Sequence, residues 1–163
     1  MILKTLSFIL LIMLCTDVSA ETENPFKLEV SKPISEFWVN PGFYSYHLQK
    51  EKNLNNSNPG WGVEYRYSNV NSITVGGFFN SVRHTSRYIG WTWQPLSLGA
   101  VRFGGALEVL DGYPGMLNGS WFVAVIPAAT IEYQRVGMNL IFIPPVKDKV
   151  YSALSFQFKL RLD

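Results

Sequence analysis

Cysteine is almost missing from this chain. The single one, Cys15, lies within the first twenty residues, so a leader cut after Ala20 would remove disulfides and thiolate metal sites together. Histidine is nearly as scarce, with only His47 and His84, and they do not form a metal-spaced cluster. A glycine-rich phosphate loop and a nucleophile elbow are also missing, so neither a cofactor nor a metal is expected. Charged residues make up 16% of the chain and the formal net charge is +2. With the two signs interleaved, nucleic acid is not an expected partner. After residue 20 no apolar run approaches the roughly 20 residues that a membrane-spanning helix needs.

The first twenty residues read as a secretory signal. Lys4 gives the positive start, Leu6 to Leu14 the short apolar run, and Val18-Ser19-Ala20 the small-residue cleavage site. Leu14 is bulky where a lipoprotein site at Cys15 would need a small residue. The mature chain, about one domain long, is therefore expected to be exported and lodged in a bacterial outer membrane.

Aromatic residues are plentiful, at 15%. From Gly42 onward the hydrophobic pattern has period two, the signature of half-buried strands. Trp61, Val63, Tyr65 and Tyr67 alternate with Gly62, Glu64 and Arg66. Leu154, Phe156, Phe158, Leu160 and Leu162 alternate with Ser155, Gln157, Lys159 and Arg161. Eight strands are expected at 43–50, 60–68, 72–81, 86–95, 99–109, 121–133, 136–145 and 149–162, forming an all-β barrel over 42–163. Segment 21–41 is less regular, and Pro33 to Trp38 is expected to form a short amphipathic helix or turn.

One face of the strands is large and apolar, the other small or charged. The lumen of an eight-stranded barrel is only wide enough for side chains to fill, and the bulky set would not fit inside. A soluble lipocalin-like barrel is thereby disfavoured, and an apolar-out, polar-in membrane barrel is expected. Glu64, Glu108 and Glu132 would pair inside with Arg66, Arg102, Lys159 and Arg161. The expected connections alternate long and short, which places the longer ones at 51–59 and 110–120 outside and the N-terminus in the periplasm. The short connection at 146–148 breaks that rule.

Near the outer rim the two histidines accompany Asn80, Ser81, Arg83 and Ser86. A hydroxyl beside an imidazole is the minimum set for acyl transfer, because the base must take the proton as oxygen attacks. A solvated loop would use the same residue types. Pro127 falls inside the sixth strand, and Pro144-Pro145 fall near the end of the seventh. Proline cannot donate a ladder hydrogen bond. These positions therefore mark either a lateral opening for a lipid tail or a simple end of pairing.

The chain resembles the lipid A palmitoyltransferases from about Pro33 to Phe158. The resemblance is carried by Phe37-Trp38-Val39-Asn40-Pro41, Pro59-Gly60-Trp61-Gly62, Gly90-Trp91-Thr92-Trp93-Gln94-Pro95-Leu96, Ile126-Pro127-Ala128 and Ile141-Phe142-Ile143-Pro144, in that order. It implies an eight-stranded barrel with an N-terminal amphipathic helix, an interior acyl-chain pocket and a lateral gate at the prolines. It further implies an outward-facing site of histidine, aspartate and serine, with outer-membrane phospholipid and lipid A as partners; separately, a monomer is expected. Ser81 matches the family serine, but Asn80 stands where the aspartate would be. The stretch from Gln49 to Asn58 lacks the family histidine, leaving His47 ahead of His84 as the base and Asn80 as a positioning group. Two other readings stay open: a non-catalytic lipid-binding or structural barrel, and a lipid A deacylase suggested by His84-Thr85-Ser86.

Overall fold

Alternation of side chains along extended segments dominates the architecture. The computed structural model describes residues 24–147 and 149–163; the expected leader, with Cys15, lies outside them. The strands are β1 (Phe26–Leu28), β2 (Pro33–His47), β3 (Ser57–Ser68), β4 (Asn71–Phe79), β5 (Thr85–Leu98), β6 (Val101–Leu110), β7 (Phe122–Tyr133), β8 (Val136–Ile143) and β9 (Ala153–Arg161). Strands β2 to β9 pair antiparallel with their chain neighbours, and β2 pairs with β9, which closes an eight-stranded barrel. Among the described residues no helix is long and apolar enough to cross a membrane, a statement that leaves strands untouched.

Each strand faces as its sequence dictates. Trp61, Val63 and Tyr67 point outward and exposed, while Glu64, Arg66 and Ser68 point inward and are buried. On β9, Phe158 and Leu160 lie outside and Gln157 and Lys159 inside. The barrel thus wears an apolar coat over a polar interior, the arrangement that fits an outer-membrane barrel. Because apolar surroundings cannot hydrate them, interior charges need partners. Glu132 meets Arg66 at 2.6 Å, Lys159 at 2.8 Å and Arg102 at 3.0 Å. Lys159 also holds Glu64 at 2.7 Å, and Glu36 bridges Arg66 at 2.8 Å and Arg161 at 3.0 Å. Lys159 Nζ stands 4.8 Å from the centre of the buried Trp38 ring. Glu108, expected to join this network, has no cation partner among the described residues.

Two other expectations change. Pro33 to Trp38 is not helical; it is the first part of β2. Its own alternation explains this: Phe37 faces out while Glu36 and Trp38 face in, toward cations on β3 and β9 that a free helical turn would not reach. Proline suits this place, at the first residue of a strand. The connection after β8 is also longer than expected, running over 144–152, because Pro144-Pro145 end that strand early. One end of the barrel then carries only the tight turns 69–70, 99–100 and 134–135, with Gly99 and Gln134 at positive φ. The other carries all the longer connections: 48–56, 80–84, 111–121 and 144–152.

Strand β1 was not foreseen. Strand β5 outruns β4, whose pairing with it stops at Asn71–Trp93, and β1 takes the vacated place beside Leu96–Leu98. Glu29 secures the join, its amide donating to the Pro95 carbonyl at 2.7 Å and its carboxylate accepting from the Ser97 hydroxyl at 2.6 Å.

Candidate active site

At the loop end, the connections 48–56 and 80–84 converge on one imidazole at the end of β2. His47 closes β2 with its ring pointing inward, 7% exposed. Its Nε2 lies 2.8 Å from Ser81 Oγ, and its Nδ1 lies 2.8 Å from Asn56 Oδ1. An amide oxygen only accepts, so Nδ1 carries the proton and Nε2 is free to accept the Ser81 hydroxyl. This is the relation between hydroxyl, base and orienting group that nucleophilic acyl transfer requires.

The turn that presents Ser81 is built by Asn80. Its side chain is fully buried; Oδ1 accepts from the Val82 amide at 3.0 Å and the His84 amide at 2.9 Å, and Nδ2 donates to Ser86 Oγ at 2.9 Å and the Gly112 carbonyl at 2.8 Å. Such a side chain closing on its own following backbone is the reason asparagine is favoured in turns. Asn80 therefore shapes the loop and does not touch His47. His84 is exposed on the same turn, its ring in no hydrogen bond with His47 or Ser81, and Ser86 is buried and bonded to Asn80. The pairing of His84 with Ser86 that a deacylase reading needs is not formed.

The residue missed in the sequence is Asn56. It sits in the run Asn55-Asn56-Ser57-Asn58, whose neighbours stitch the loop to the site: the Asn55 amide donates to the Ser81 carbonyl at 2.9 Å, and the Ser45 amide donates to the Asn56 carbonyl at 2.8 Å. A cluster of short amides one loop-length from a histidine was the available signal. Tyr113 adds a phenol against Ser81. Burial pushes its pKa well above the ordinary tyrosine value, making the phenol a weaker acid, and the hydrogen bond with Ser81 pulls the other way.

Beneath this group lies a cavity of about 360 Å³. Phe43, Phe78, Tyr113, Ile126 and Ile141 line it together with His47 and Ser81. Phe122, Val123, Ala124, Val125 and Ile126, five consecutive residues of β7, all border it. In a closed wall only alternate residues face the lumen, so the cavity reaches around the edge of β7. Pairing between β7 and β8 runs from Tyr133–Val136 up to Ala128–Ile141 and stops. Pro127 is the next residue on β7; it remains paired to Gly105 of β6 but has no partner on β8. Pro144 lines the cavity beside the seam, whereas Pro145 is exposed beyond the strand and does not. Among the described residues no group of His, Cys, Asp and Glu is placed to hold a metal.

No family model and no curated protein matches the chain.

Proposed function

We propose that this protein is an outer-membrane acyltransferase of the lipid A palmitoyltransferase kind, taking a phospholipid acyl chain through the β7–β8 seam. The observation that carries this reading is the 2.8 Å approach of His47 Nε2 to Ser81 Oγ at the mouth of an apolar cavity. The apolar coat, the tight turns at one end and the longer connections at the other support an orientation with the site facing outward.

In this reading His47 takes the Ser81 proton as Oγ attacks the ester carbonyl. The imidazolium then returns that proton to the departing lysophospholipid oxygen, leaving the acyl group on Ser81. A hydroxyl of lipid A, deprotonated by the same imidazole, attacks the acyl-serine and regenerates the hydroxyl. Asn56 holds the ring in the tautomer this needs, although a neutral amide offsets the imidazolium charge less than a carboxylate would. The resemblance in the sequence adds the lipid A acceptor, and the open seam adds a route for the chain.

The test is incubation of the purified barrel with phospholipid and lipid A, followed by mass spectrometry of the lipid. Lipid A heavier by one acyl group is the expected product, lost in Ser81→Ala. A wild type that forms no such product, or a Ser81→Ala variant that forms it undiminished, would discard the mechanism. Acyl chains that co-purify without being transferred would leave a lipid-binding barrel.

A further inference from the structure

Glu108 lies outside the chemistry just described, and it is the odd member of the barrel interior. Glu36, Glu64 and Glu132 each have a cation within 3.0 Å, and these pairs use Arg66, Arg102, Lys159 and Arg161. Glu108 has none among the described residues. Its Oε2 is buried without a hydrogen-bond partner, as are Tyr88 Oη and Asn58 Oδ1. All three residues line the one cavity beneath His47 and Ser81. Asn58 is 1% and Tyr88 6% exposed, so bulk water does not satisfy them. Asn40, Thr74 and Gln157 stand around the Tyr88 hydroxyl, yet none of them meets it in hydrogen-bonding geometry.

The position of Glu108 is built by its neighbours. It pairs with Gly90 on β5 and with Ala124 on β7, inside the unzipped stretch of the seam. The carboxyl lies over Gly90, where a Cβ would meet it within 2.4 Å. Gly90 is five residues down β5 from Thr85, about 17 Å of strand below the turn bearing Ser81. Buried polar atoms are normally satisfied, and exceptions call for an explanation. A plain methylene chain drawn through the seam would pass Glu108 and leave its oxygen desolvated and unpaired.

We infer that the cavity selects an acyl chain bearing a hydroxyl group remote from its ester, donated to Glu108 and flanked by Tyr88. This rests on the reading that the cavity takes an acyl chain, and does not depend on transfer to an acceptor. A hydroxyl serves both roles these atoms leave open: it donates to a carboxyl oxygen and accepts from a phenol. One hydrogen bond to such an oxygen corresponds to a preference of about tenfold or more.

The experiment presents the detergent-purified barrel with two phosphatidylcholines, one carrying stearoyl chains and one carrying stearoyl chains hydroxylated at mid-chain. Bound lipid is read by native mass spectrometry and transfer by product mass. Wild type is expected to bind the hydroxylated lipid about tenfold more tightly. Glu108→Leu is expected to lose or reverse that preference, and Glu108→Gln, which keeps a hydrogen-bonding group of the same shape, to retain part of it. Equal binding of the two lipids by wild type overturns the inference, as does a preference unchanged in Glu108→Leu. Should Glu108→Leu fail to fold, the wild-type comparison and Glu108→Gln still decide. Selective binding without transfer would sink the catalytic reading and keep this one; transfer without selectivity would do the reverse. Binding of neither lipid removes both.

Discussion

His47 and Ser81 stand 34 residues apart in the chain, yet the imidazole Nε2 and the hydroxyl Oγ meet at 2.8 Å. The barrel makes the meeting: β2 ends at His47, β4 ends two residues before Ser81, and β3 between them holds the two ends side by side. Asn56, nine residues beyond His47, closes the other side of the ring.

The role of Asn56 is open to direct measurement. Asn56→Leu removes the acceptor that fixes the tautomer, and kcat for acyl transfer should fall by roughly a hundredfold or more. Asn56→Asp restores a carboxylate there, so its kcat should equal or exceed that of wild type. A leucine variant as fast as wild type would dismiss the orienting role.

The seam invites a repair experiment. Pro127→Val returns an amide to β7 just where pairing with β8 stops. One added ladder hydrogen bond is worth about 1 kcal/mol, so transfer from long-chain phospholipid should slow by about fivefold. A rate at or above that of wild type would mean that tails enter elsewhere.

The interior ion cluster makes a stability prediction. Glu132 touches three cations, so Glu132→Ala leaves several positive charges facing one another with too little negative charge. Removing one member of such a buried network costs about 3–5 kcal/mol. Urea unfolding in lipid vesicles should show a loss of that size, well above the effect of Glu51→Ala on the exposed rim.

At the loop end a pH effect is expected. Burial alone would raise the pKa of Asp111, but hydrogen bonds and charge from Arg87, whose Nη2 lies 2.5 Å away, outweigh it and hold the carboxyl below its ordinary range. A group depressed on folding stabilises above its unfolded value of about 3.9 and loses that contribution as pH falls toward the folded one. The difference in unfolding midpoint between wild type and Asp111→Asn should thus be present at pH 7 and vanish in strong acid. A gap that widens on acidification would contradict the sign.

Most of the barrel wall was legible because period two and residue size report directly on facing: Trp61, Glu64, Phe158 and Lys159 all point as their chemistry demands. Pro33 to Trp38 misled because a short apolar run with a leading proline suits a helix as well as a strand. The deciding partners, Arg66 and Arg161, lie far along the chain. The site was legible in kind but not in membership. Ser81 and His47 were visible as residue types, whereas Asn80 and Asn56 could not be told apart by composition. Only the loop geometry decides which amide closes a turn and which faces the imidazole.

The short N-terminal strand carries a consequence for handling the protein. Without β1, the tail of β5 would keep β6 on one side and show bare amides and carbonyls on the other, the kind of ledge onto which a neighbouring chain can add. A version trimmed to begin at Pro33 should therefore self-associate through Leu96–Leu98 even with its barrel intact. The three residues Phe26–Leu28 act as a selvedge, keeping the fabric from being sewn to its neighbour.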